Sequence, residues 1–109
     1  MSDQRIHVAL AVRDLPASIQ DYSARLGIEP CCIVEGTYAL WRTDHVNLSI
    51  SVTPEAAGTL RHLGFEDPRA AETSVERDAN GIEWERFTEE QQRDEILRIW
   101  PHARFSAPR

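Results

Sequence analysis

The sequence predicts an α+β protein. A βαβββ module comes first, then a reduced, mostly β second module that continues one cupped mixed sheet, then a C-terminal helix. Three observations predict it. Large apolar residues alternate with small or polar ones over residues 6–12 and 46–52, the period-two signature of half-buried strands. Between these runs Leu15, Ile19, Tyr22 and Leu26 fall at helical spacing. Beyond residue 59 only short strand-like runs remain before Thr88 and Gln91 form a capping box.

Each element has a local reason. In the first strand Ile6, Val8, Leu10 and Val12 share one face, and His7, Ala9 and Ala11 the other. Asp14 is a natural N-cap with Pro16 in the first turn, and Gly27 is a natural residue to end the helix. Strands over residues 31–34, 37–42 and 46–52 follow, with turns at Glu35-Gly36 and Thr43-Asp44. Val46, Leu48, Ile50 and Val52 oppose Asn47, Ser49 and Ser51.

Module one therefore spans about residues 5–53. Residues 54–58 are a linker, and the reduced second module covers about 59–88. That module is expected to hold a strand at 60–66, a short strand near 74–78, a turn at Ala79-Asn80-Gly81 and a strand at 82–87. The C-terminal helix spans about 88–100, ended by Pro101, and is expected to cover the sheet where the second module lacks its own helix. The tail after it, including Arg109, is expected to be loosely ordered.

Composition narrows the function. The 109 residues suit one domain, with 41% hydrophobic and 28% charged residues. A net charge of −6 argues against nucleic acid or an anionic membrane surface as partner. No apolar signal-peptide core follows Met1, and no run is long enough to span a bilayer. The two cysteines, Cys31 and Cys32, are adjacent and poorly placed to bridge each other. They read as free buried thiols of a reduced cytoplasmic protein, with soft-metal binding as the alternative.

Chemistry concentrates at three polar interruptions of apolar strands: His7, His62 and Glu85. Two imidazoles and a carboxylate can hold a divalent metal with positions left open for substrate. Asn47 shares their side of the predicted sheet. The expected substrate cavity is lined by Asn47, Ser49 and Trp41, although Trp41 also fits the core, as do Trp84 and Trp100. Glu83 is the nearest candidate general base by sequence.

The order of these motifs resembles the vicinal oxygen chelate superfamily, which includes glyoxalase I, bleomycin-resistance proteins and extradiol dioxygenases. The resemblance rests on His7-Val8-Ala9-Leu10-Ala11-Val12-Arg13-Asp14-Leu15, on Tyr22 with Leu26-Gly27, on His62-Leu63-Gly64-Phe65-Glu66, and on Asp78-Ala79-Asn80-Gly81-Ile82-Glu83-Trp84-Glu85. Its closest flavour is the cadmium-induced and C–As lyase branch. The resemblance implies metal ligands on the first and last strands of each module: His7, the position of Asn47, His62 and Glu85. Glu85 is preferred to Glu83 by its distance from Gly81. Asn47 stands where glyoxalase I enzymes carry a glutamate, which leaves two histidines and one carboxylate.

The stretch between His62 and Glu85 is about half as long as the family uses, which predicts a shortened second module. The cup is then open on one side. Pairing with a second chain is the expected remedy, and homodimers are also usual in the family. The functional expectation is a metal-dependent lyase, isomerase or dioxygenase that chelates a small oxygen-bearing substrate. Fe(II) is the first choice of ion, with Zn(II), Mn(II) or Ni(II) after it. Two alternatives remain open: a metal-free small-molecule binding protein of the bleomycin-resistance type, and a degenerate, non-catalytic association module.

Overall fold

The alternating first strand becomes the centre of the molecule. In the computed structural model, which describes residues 3–106, β1 (Arg5–Val12) pairs in parallel with β4 (Val46–Val52) and antiparallel with β5 (Leu60–Glu66). The remaining strands are β2 (Cys32–Val34), β3 (Tyr38–Arg42), β6 (Ser74–Arg77), β7 (Glu83–Phe87) and β8 (Arg104–Phe105). Together they form one eight-stranded, unclosed mixed sheet in the order β6-β7-β5-β1-β4-β3-β2-β8. The second module is reduced as expected. It contributes β5, β6 and β7, and no helix is described between β5 and β7.

Helix α1 (Leu15–Leu26) starts where the Asp14 carboxylate accepts the Ala17 N–H at 3.0 Å. It ends at Gly27, whose φ of 71° is the left-handed conformation that glycine adopts without steric cost. α1 packs on the outer face of the sheet. There Val12, Leu15, Ala39, Trp41 and Ile50 form one buried cluster, flanked by Leu10, Ile19, Tyr22 and Leu26.

Helix α2 (Glu89–Ile99) begins with the expected capping box. Thr88 accepts from the Gln91 N–H, and the Gln91 side chain accepts from the Thr88 N–H. Its position corrects the expectation. α2 does not cover the outer face of the second module but packs on the inner face, the one that carries His7 and Asn47. Ile96 joins Cys32, Val34, Tyr38 and Leu40 in a second buried cluster. The cause lies in the residues after the helix, which were expected to be loose. Trp100 packs on Tyr38 with ring centroids 5.0 Å apart, β8 adds to β2, and Ser106 N–H donates to Cys31 O at 2.9 Å. Arg93 lies over the Phe105 ring at 4.3 Å. These contacts anchor α2 across the inner face; positions 107–109, Arg109 included, lie outside the described residues.

Among the described residues no helix is long and apolar enough to cross a membrane.

Candidate metal centre

Strand register assembles the site. Asn47 on β4 lies beside His7 on β1, His7 lies beside Gly64 on β5, and Gly64 lies beside Glu85 on β7. Four strands thus present one transverse row, and His62 stands two residues before Gly64 on the same face. Gly64 is required there. A Cβ at this position would run into the carbonyl oxygen of Glu85 and lie 2.9 Å from its nitrogen and its carbonyl carbon. The bare backbone lets β5 and β7 close up and brings Glu85 toward the two imidazoles.

The three expected ligands converge. One ligand atom each from His7, His62 and Glu85 lies within 4.8 Å of the others. The separations are 3.0 Å between the two Nε2 atoms, 3.2 Å from His62 Nε2 to Glu85 Oε1, and 4.0 Å from His7 Nε2 to Glu85 Oε1. Zinc-to-nitrogen bonds of about 2.0–2.1 Å in a tetrahedron place neighbouring ligands roughly 3.3–3.4 Å apart. The triangle brackets that spacing, and its donors are ones that divalent transition metals accept, so the group can hold a metal ion.

Its electrostatics favour the ligand forms. Burial pushes the His7 pKa down, outweighing the hydrogen bonds to Asn47 that act upward, so the ring stays neutral. Burial acts upward on the Glu85 carboxyl, but the hydrogen bond from His62, helped by the Arg61 guanidinium nearby, holds it below the usual carboxylate range.

The triad opens into a cavity of about 390 Å³. Its floor is the small polar face of β4, Ser49 and Ser51, with Tyr38 alongside. Phe87 forms one wall, and Ile96, Ile99 and Trp100 form another. Ser49 is therefore where the sequence placed it. The Tyr38 phenol is hydrogen-bonded with Ser49, and burial drives its pKa upward, so it remains protonated.

Three expected positions need correction. Asn47 is fully buried behind His7 rather than lining the cavity, with its amide wholly engaged by protein groups. Trp41 points the other way, into the α1 cluster, where its indole N–H donates to Ser23 Oγ at 3.2 Å. Glu83 lies outside the cavity lining and pairs with Arg77 at 3.1 Å. Cys31 and Cys32 are free, and neither belongs to the metal group. Burial pushes both thiols up, Cys32 to about 12, so neither is a ready thiolate ligand.

Sequence reasoning missed Glu66 and Gln92. Glu66 is 3% exposed and accepts from Arg5, Arg42 and Asn47. Gln92 on α2 pairs amide to amide with Asn47. Both had a signal: Glu66 has the strand parity of His62, and Gln92 precedes Ile96 and Ile99 at helical spacing.

No protein-family model matches the chain, and no curated protein matches it.

Proposed function

We propose that the chain is a metal-dependent enzyme of the vicinal oxygen chelate kind. His7 Nε2, His62 Nε2 and a Glu85 carboxylate oxygen would hold the ion, Fe(II) first and Zn(II), Mn(II) or Ni(II) after it. The observation that carries this reading is the convergence of three ligand atoms within 4.8 Å on the wall of a formed cavity. A bound ion supplies Lewis acidity, or dioxygen activation where it is iron. The chain's own side chains select the substrate. Ser49 and Ser51 offer hydroxyls to its oxygens, and Phe87, Ile96, Ile99 and Trp100 exclude water from its apolar body. The substrate is thus a small molecule with adjacent oxygens at one end. A homodimer belongs to the same reading, supported by edge strand β6, which is exposed along its whole length.

The test is metal content. After chelation and anaerobic reconstitution, the wild type should retain about one Fe(II) or Zn(II) per chain, and His62→Ala should retain none. Wild type without stoichiometric metal would defeat the proposal.

A specific observation favours a second reading, metal-free ligand binding. His62 Nε2 is within hydrogen-bond distance of both His7 Nε2 and Glu85 Oε1, so the triad can satisfy its own polar atoms. Ligand-induced thermal stabilisation that persists in excess chelator would select it. The association-module reading required a filled cup and separated ligand positions, which neither the cavity nor the 4.8 Å spacing supports.

A further inference from the structure

We infer that Glu66 and Asn47 are positioning residues which together set the tautomer of His7, so that its Nε2 presents a lone pair to the metal centre. The inference follows from which atoms can donate. Glu66 sits at the inner end of β5, buried, and receives four nitrogen donors. Oε1 accepts from Arg42 Nε and Asn47 Nδ2, and Oε2 accepts from Arg42 and Arg5, all at 2.8 Å. Burial acts upward on its pKa, but these hydrogen bonds and the two guanidinium charges outweigh it, and the carboxyl is ionised. An ionised carboxylate only accepts. The Asn47 atom that faces it must therefore be the NH₂ group, and the Asn47 oxygen must face the other way.

That oxygen lies 2.9 Å from His7 Nδ1. A carbonyl oxygen accepts and cannot donate, so Nδ1 must carry the imidazole proton. In a neutral ring the other nitrogen is then bare. His7 Nε2 is the atom aimed at His62 and Glu85. A buried charge one residue removed thus fixes a lone pair at the centre. The Asn47 main-chain oxygen, 3.2 Å from Nδ1, favours the same tautomer through a longer contact.

Gln92 has a different part. Its oxygen accepts from Asn47 Nδ2 at 2.8 Å, and its NH₂ donates to Asn47 Oδ1 at 3.2 Å. A glutamine can rotate its amide to match either orientation of Asn47, so Gln92 clamps the relay without choosing its direction. Only Glu66, which has no donor of its own, makes that choice. The geometry has the general form in which an outer partner orients a ligating histidine, with an amide inserted between carboxylate and ring.

The experiment reads proton position directly. Long-range ¹H–¹⁵N correlation spectra of the wild-type protein, prepared in chelator at a pH where His7 is neutral, should show His7 protonated at Nδ1. Protonation at Nε2 would overturn the inference with no variant needed. Asn47→Leu should give a mixture of tautomers and weaken Zn(II) binding about 10–100-fold in chelator competition. Glu66→Gln, which can turn a new NH₂ donor toward Asn47, should shift the ring toward the Nε2–H form, whereas Gln92→Leu should leave it in the wild-type form. A wild-type tautomer in both the Asn47 and the Glu66 variant would refute the relay. The affinity arm rests on the proposed metal site, but the tautomer arm does not. A protein that binds no metal and still shows the expected tautomers would fail the first proposal and sustain this one.

Discussion

Replacing Gly64 with alanine tests whether strand contact assembles the candidate centre. The added Cβ would run into the carbonyl oxygen of Glu85 and lie 2.9 Å from its nitrogen and its carbonyl carbon. Non-bonded carbons rest at about 3.5–4.0 Å, so β7 must retreat by at least about 0.6 Å. The contact is with backbone, and no side-chain rotation relieves it. Overpacking of this kind costs about 1–3 kcal/mol, which for a chain of this size lowers the melting temperature by roughly 5–20 °C. The retreat also draws Glu85 Oε1 away from His62 Nε2, now 3.2 Å distant. Zn(II) affinity should fall at least about tenfold. Circular-dichroism melting and chelator competition measure the two effects on one sample. A Gly64→Ala protein within about 0.5 kcal/mol of wild type, with unchanged affinity, would refute the idea that β5 and β7 close tightly over this glycine.

Two further outcomes follow from buried groups. Burial keeps His7 harder to protonate than the 6.5 of a free imidazole. The unfolded chain therefore takes up a proton near that pH which the folded chain refuses, and stability drops as pH falls below it. Glu66 and Glu85, held below the usual carboxylate range, extend the loss to lower pH. The urea midpoint should be lower at about pH 5.5 than at about pH 7.5, with a smaller difference in His7→Gln; a midpoint that rises on acidification contradicts this. Trp41→Phe removes the donor to Ser23 in the outer core and should cost about 1–3 kcal/mol in chemical denaturation. Metal binding should be unchanged, and a loss of metal would return Trp41 to the site.

The residues that face the cavity were legible wherever strand alternation was polar on one side only. β4 is the clearest case, with Asn47, Ser49 and Ser51 opposing Leu48 and Ile50. The same parity put His7, His62 and Glu85 on one face. β3 gave no such guide. Tyr38, Ala39, Leu40 and Trp41 are all buried, because α1 covers one face of that strand and α2 the other. A strand covered on both sides carries no alternation, so the direction of Trp41 could not be read. α2 announced its start through Thr88 and its apolar stripe through Ile96 and Ile99, but a stripe does not say which sheet face will receive it. That depended on residues 104–105, too short a run to signal a strand. Glu66 shares the strand parity of His62, but next to Asp67 it looks like part of an exposed acidic pair; the packing of Arg5 and Arg42 around it is what buries it.

The placement of α2 divides the labour of the molecule. The sheet holds every candidate ligand, while one entire wall of the cavity belongs to a helix with its own cap and its own hydrophobic anchor. Glu95 and Ile99, which line the cavity from the helix, can therefore be exchanged to reshape what it admits, with the ligand triangle left untouched. Gln92 is the exception on that wall, because it alone is bonded to the amide behind His7. Diversification of what the cavity admits would leave Gln92 fixed and let its neighbours on the helix drift, a pattern that directed evolution of α2 alone can produce.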